Sequence, residues 1–94
     1  MLFTNINPES FEIVSRGTDV EVVMIRTATK WIPALTFQSE YQNGRIFCRI
    51  QKQRGGYREF SSLDSAALFL EQLGLNQFKI YPLPSDDFEG LKNK

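Results

Sequence analysis

Apolar and polar positions fall along the chain in blocks that predict strands first and a helix late. Residues 11–15 (FEIVS) and 20–27 (VEVVMIRT) are rich in β-branched and large apolar side chains, and RGTD between them is a turn signal, so two strands in a hairpin are expected. The second is apolar on both alternating sets, Val20, Val22 and Met24 against Val23 and Ile25, as in a central strand or one covered by a dimer partner. Pro33 denies a ladder hydrogen bond, so the next strand should start after it or lie at an edge.

Asn43-Gly44 is a two-residue hairpin signal, because both residues tolerate the positive φ of a type I′ turn. Pairing outward from it sets Gln42 against Arg45, Tyr41 against Ile46, Ser39 against Cys48 and Phe37 against Ile50. The larger apolar residues other than Phe47 then share one face. A three-residue turn, Arg54-Gly55-Gly56, continues the pattern by pairing Gln53 with Tyr57, Gln51 with Glu59 and Ile50 with Phe60. The expected result is a three-stranded antiparallel meander over about residues 34–61, apolar on one face and polar on the other.

Ser61-Ser62-Leu63-Asp64 reads as a helix start, and Leu63, Ala66, Ala67, Leu70 and Leu73 recur at helical spacing with Phe69 at the stripe's margin. Gly74 should stop the helix in the left-handed conformation, with Leu75 folding back on it. Phe78 and Ile80 alternate with Lys79 and Tyr81 in a last strand ended by Pro82 and Pro84. The fold class is therefore α+β: an antiparallel sheet in the order β-β-β-β-β-α-β with one helix on its apolar face. Residues 1–84 form a single domain, and 85–94 a polar, mobile tail.

Ninety-four residues allow one core. No apolar run approaches a membrane span and the start lacks the regions of a signal peptide, so a soluble cytoplasmic protein is expected. The single cysteine, Cys48, excludes an intramolecular disulfide and a cysteine zinc site, and its place between Ile46 and Ile50 makes it a buried, inert thiol. Histidine is absent, which removes the commonest general base and metal ligand. A carboxylate enzyme would need two acids converging in a pocket, and no such pair can be placed. The expectation is no enzyme, no cofactor and no metal.

Net charge is zero, but its distribution is uneven. Residues 45–60 hold five bases (Arg45, Arg49, Lys52, Arg54, Arg58) and one acid, Glu59, flanked by segments that are each net acidic. The polar meander face would display Thr36, Gln38, Glu40, Gln42, Arg45, Phe47, Arg49, Gln51, Gln53, Tyr57 and Glu59. Arg and Gln pair bidentately with guanine and adenine edges, and a sheet can enter the major groove. Lys52, Arg54 and Arg58 at the hairpin tip suit phosphates. The candidate nucleic-acid-binding residues are accordingly Arg45, Phe47, Arg49, Gln51, Lys52, Arg54, Tyr57 and Arg58. A solvated sheet face would show the same polar residues without any ligand, and the pI of about 6.2 is below that of a strong binder.

Phe47 fits a solvated face least well. It could stack on a base, insert at an interface, or be covered by the N-terminal segment around Phe3 and Phe11. Trp31, Val23 and Ile25 are the candidates for a dimer interface. Gly55-Gly56 joins two strands and opens no helix, so it is not a phosphate loop of the nucleotide-binding kind.

The run GRIFCRIQKQRGGYREFSSLDSAALFL resembles the strand, strand, helix unit of sheet-type DNA-binding domains, those of ethylene-response factors and the arm-binding domains of tyrosine recombinases. Phe60, Ser62, Ala66 and Ala67 match the strand-end aromatic, helix cap and small helix residues, and Arg45, Arg49 and Arg58 fall where those families carry sheet arginines. The resemblance implies major-groove reading by the sheet. REFSSLDSAALFLEQLG is also similar to small accessory proteins of plasmids and mobile elements. Two functional expectations follow. One is a small non-enzymatic accessory protein, a possible homodimer, binding duplex DNA or RNA; the other is a protein-interaction module, a homodimer or an inhibitor or adaptor of a plasmid, phage or host protein.

Overall fold

The computed structural model describes residues 2–39 and 44–82. Its elements are β1 (Leu2–Ile6), α1 (Pro8–Val14), β2 (Glu21–Arg26), β3 (Trp31–Ser39), β4 (Gly44–Ile50), α2 (Leu63–Gln72) and β5 (Lys79–Pro82). The strands form one sheet in the order β1-β4-β3-β2-β5. β2, β3 and β4 are an antiparallel meander, whereas β1 pairs parallel with β4 and β5 parallel with β2. The α+β class holds, but the sheet is mixed and carries two helices, and the element order is β-α-β-β-β-α-β. The expected tail and Asn43 of the expected turn lie outside the described residues.

Residues 11–14 are helical instead of extended, and Ser15 is the C-cap. Asn7, in extended conformation, caps α1 by accepting the Ser10 amide on Oδ1 at 2.7 Å, Pro8 starts the first turn and Glu9 places an acid there. These local signals outweigh the strand propensity of Ile13 and Val14, and α1 then needs to bury only Phe11. The place beside β2 foreseen for a strand at 11–15 goes to β5, while β1 takes the outer edge of β4, with Phe3 against Phe47 and Ile6 against Ile50.

β3 and β4 pair with Phe37 against Ile46, Leu35 against Cys48 and Ser39 against Gly44. This register is displaced by four residues from that of an Asn43-Gly44 turn, since Gly44 is itself a strand residue. An even displacement keeps every side chain on its expected face.

Pro33 lies inside β3, opposite Met24 of β2. Trp31 directs its amide away from β2, to the Phe60 carbonyl at 2.8 Å, and strand alternation gives Pro33 the same direction. Continued register would set Pro33 beside Ile50, but the ladder stops at Ala34 and Arg49, and the Ile50 carbonyl instead accepts the Arg58 amide at 2.7 Å. The missing donor thus faces a place that needs none. The third meander strand does not form, because β1 already occupies the outer edge of β4. Residues 51–57 turn out as a loop closed by the Gln51 and Tyr57 bridge, and Phe60 returns beside Trp31.

Both sheet faces are buried. On one, Met24, Leu35, Cys48 and Ile50 pack under Phe11 of α1 and Ala66 and Leu70 of α2, with Ile46 and Phe60 alongside. On the other, Val23, Ile25, Ile32, Ala34 and Phe47 pack with Phe3, Tyr57 and Tyr81, and no residue of either helix takes part. β2 is an interior strand buried on both faces, as its two-sided pattern suggested, flanked by β3 and β5; the middle strand is β3. No helix among the described residues is long and apolar enough to cross a membrane.

Candidate nucleic-acid interface

Arg45, Phe47 and Arg49 alternate along β4 toward the face expected to be polar and open. That face is instead a second core. Phe47 is 1% exposed and Thr36 2%, so Phe47 has no ring face for a nucleotide base. Its cover is Phe3 of β1, stacked at 5.3 Å and 17°, and Tyr81 of β5 at 5.1 Å; Phe11 belongs to the opposite face. The small side chain of Ala34 lies in the same cluster and leaves room for large rings over the middle of the sheet. Val23 and Ile25 are buried by the same cluster within one chain, which withdraws them from the surface expected to meet a dimer partner. Trp31 is half-buried against the helix-side core and locked to Phe60 by two backbone bonds of 2.8 Å.

The two sheet arginines are held by neighbours. Arg45 Nη1 donates to Thr36 Oγ1 at 3.2 Å and lies 3.8 Å from Glu21, while Thr36 in turn donates to the Ile46 carbonyl at 3.0 Å. Glu21 also receives Lys79 Nζ at 2.9 Å, and this bond, more than the Arg45 charge, holds the Glu21 carboxyl below its usual range. Arg49 is a clamp. Its guanidinium carbon sits 4.0 Å from the Tyr57 ring centroid and 4.9 Å from that of Phe3, and Nε donates to Asn5 Oδ1 at 3.0 Å. Burial lowers the Arg49 pKa, and Tyr57 partly offsets that.

The clamp joins β1, β4 and the base of the 51–57 loop. Arg49→Ala should therefore destabilise the protein by about 1 to 3 kcal/mol in urea unfolding. Arg49→Met, which keeps the packed stem, should recover part of the loss if contact with the rings matters more than charge.

The remaining candidates point outward. Gln51, Lys52, Arg54 and Arg58 are exposed on the loop, where the Lys52 amide donates to the Gly56 carbonyl at 3.1 Å and the Gly55 amide to the Lys52 carbonyl at 3.3 Å. Gly55 and Gly56 take φ of 93° and 74°, a conformation that side-chain-bearing residues adopt only under strain. An open cleft of about 810 Å³ lies between the loop and the start of α1, lined by Asn7, Gln51, Lys52, Gln53, Arg54 and Arg58, with no acid among its lining residues. Arg58 lays its guanidinium over Phe69 at 4.9 Å and Phe60 at 5.9 Å. The contribution of Asn7 was missed in the sequence, although Asn-Pro-Glu-Ser is a legible helix start.

Cys48 is buried, and burial pushes its thiol pKa up, as befits an inert residue. No cluster of three His, Cys, Asp or Glu that could hold a metal occurs among the described residues. Comparison of the chain with family models, curated proteins and solved structures gives no match.

Proposed function

We propose that this chain binds nucleic acid as a small accessory module, through the loop of residues 51–58 and not through the face of its sheet. The observation that carries the reading is the convergence of Lys52, Arg54 and Arg58 on one open cleft without an acid in its lining. Cations in a lining without acids concentrate a polyanion by releasing its condensed counterions, and that gain does not require a basic protein overall. The sheet face is a poorer candidate, because Phe47 is buried and Arg45 and Arg49 are already engaged.

Anisotropy titration of labelled DNA duplex, DNA single strand and RNA across salt tests the reading. Replacing Lys52, Arg54 and Arg58 together with Gln should weaken binding by about 100-fold at low salt and flatten the salt slope by about 2 to 3. Equal binding by the triple variant, or no binding by the native chain at low salt, would refute it.

A further inference from the structure

We infer that the ligand class is duplex recognised through its phosphate backbone, independent of base sequence, with Arg58 as the fixed phosphate fork; this rests on the loop reading above. Major-groove base reading needs planar donors or rings carried on an element that enters the groove, here β4, whereas Gln51, Gln53 and Arg54 stand on the loop. Arg45 is tied to Thr36 and Glu21, Arg49 is flanked by two rings and bonded to Asn5, and Phe47 is buried. The Tyr57 ring is itself covered by the Arg49 guanidinium, and no aromatic residue lines the cleft. A single strand would therefore find no stacking platform there. Without stacking, charge density decides, and a duplex carries one charge per about 1.7 Å of axis against about 3.4 Å for a strand.

Arg58 differs from the other two cations. Phe69 and Phe60 hold its guanidinium, while its donors make no hydrogen bond or ion pair among the described residues. A planar fork held on aromatic rings offers two parallel donors to a phosphate and loses little side-chain freedom on binding. Lys52 and Arg54 have no ion pair or ring contact among the described residues, and supply charge without geometry. At the loop's crest Gly55 and Gly56 have open space where a Cβ would stand, so no side chain holds a phosphate ridge away.

The test compares two duplexes of equal length and unrelated sequence with one single strand of the same length, each titrated with the native chain, Arg58→Lys and Arg54→Lys. Circular dichroism of the variants confirms that they are folded. The duplexes should agree within about 3-fold, and the single strand should bind about 10-fold more weakly. Arg58→Lys should weaken duplex binding about 5- to 10-fold, and Arg54→Lys by less than about 2-fold, since a point charge replaces a fork only where no fork is used. Discrimination between the duplexes beyond about 10-fold, tighter binding of the single strand, or equal effects of the two lysine substitutions would overturn the inference while leaving nucleic-acid binding intact. Absence of binding to all three probes would overturn both.

Discussion

Phe47→Ala should destabilise the protein by about 3 to 5 kcal/mol, read as a lowered urea midpoint at unchanged slope. The ring is 1% exposed and lies between Phe3 and Tyr81, which arrive from the two edge strands of the sheet. Removing it deletes the contact that both neighbours share and leaves a void that a β-sheet, fixed by its ladders, closes only partly. Phe3 is also one wall of the Arg49 clamp, so the damage should extend toward the loop. A loss below about 1 kcal/mol would mean that this face is open to water, and would return Phe47 to the list of surface residues.

Leu70→Ala should cost about 2 to 5 kcal/mol by the same measurement. Leu70 and Ala66 are the fully buried residues of α2, and they join it to the cluster of Met24, Leu35, Cys48 and Ile50. Phe47 and Leu70 belong to separate clusters on opposite faces, so their effects should add within about 0.5 kcal/mol. The sum, about 5 to 10 kcal/mol, reaches the whole stability expected of a small domain. The double variant should therefore be largely unfolded without denaturant, and a folded double variant would show that the two cores are not independent.

α2 was legible in the sequence because everything that defines it is local. Ser62 Oγ accepts the Ser65 amide at 3.2 Å, Gly74 takes φ of 83°, and the Leu75 amide returns to the Leu70 carbonyl at 2.9 Å. The faces of β3 and β4 were legible for a similar reason, since a period of two survives an even error in register. Ile46, Cys48, Ile50 and Phe60 accordingly lie in the core where their pattern puts them.

What depends on distant partners was not legible. Nothing near Leu2–Ile6 announces a parallel strand, because its partner β4 lies in the middle of the chain. Pro33 argued against an interior strand, yet whether its missing donor matters depends on where Ile50 and Arg58 meet. The site divides along the same line. Lys52, Arg54 and Arg58 stood out as a local charge excess, and they are exposed. Arg45, Phe47 and Arg49 share the expected face, but what covers that face comes from Phe3 and Tyr81. Two clues were present in the residues themselves: Phe47 among polar neighbours, and the apolar Val23 and Ile25 on the same side of β2, each calling for cover.

The loop's base hangs on the first strand of the chain. The Gln51 amide donates to the Ile6 carbonyl at 2.7 Å, and Asn5 holds Arg49, which holds Tyr57. β1 is a five-residue strand at the edge of the sheet, a kind of element that opens at low free-energy cost while the rest of the molecule stays folded. Each such opening releases both restraints on the loop together. The loop thus shares the breathing motion of the N-terminus, and its amides should lose protection from solvent exchange in step with those of Leu2–Ile6, well before the β2, β3, β4 meander yields.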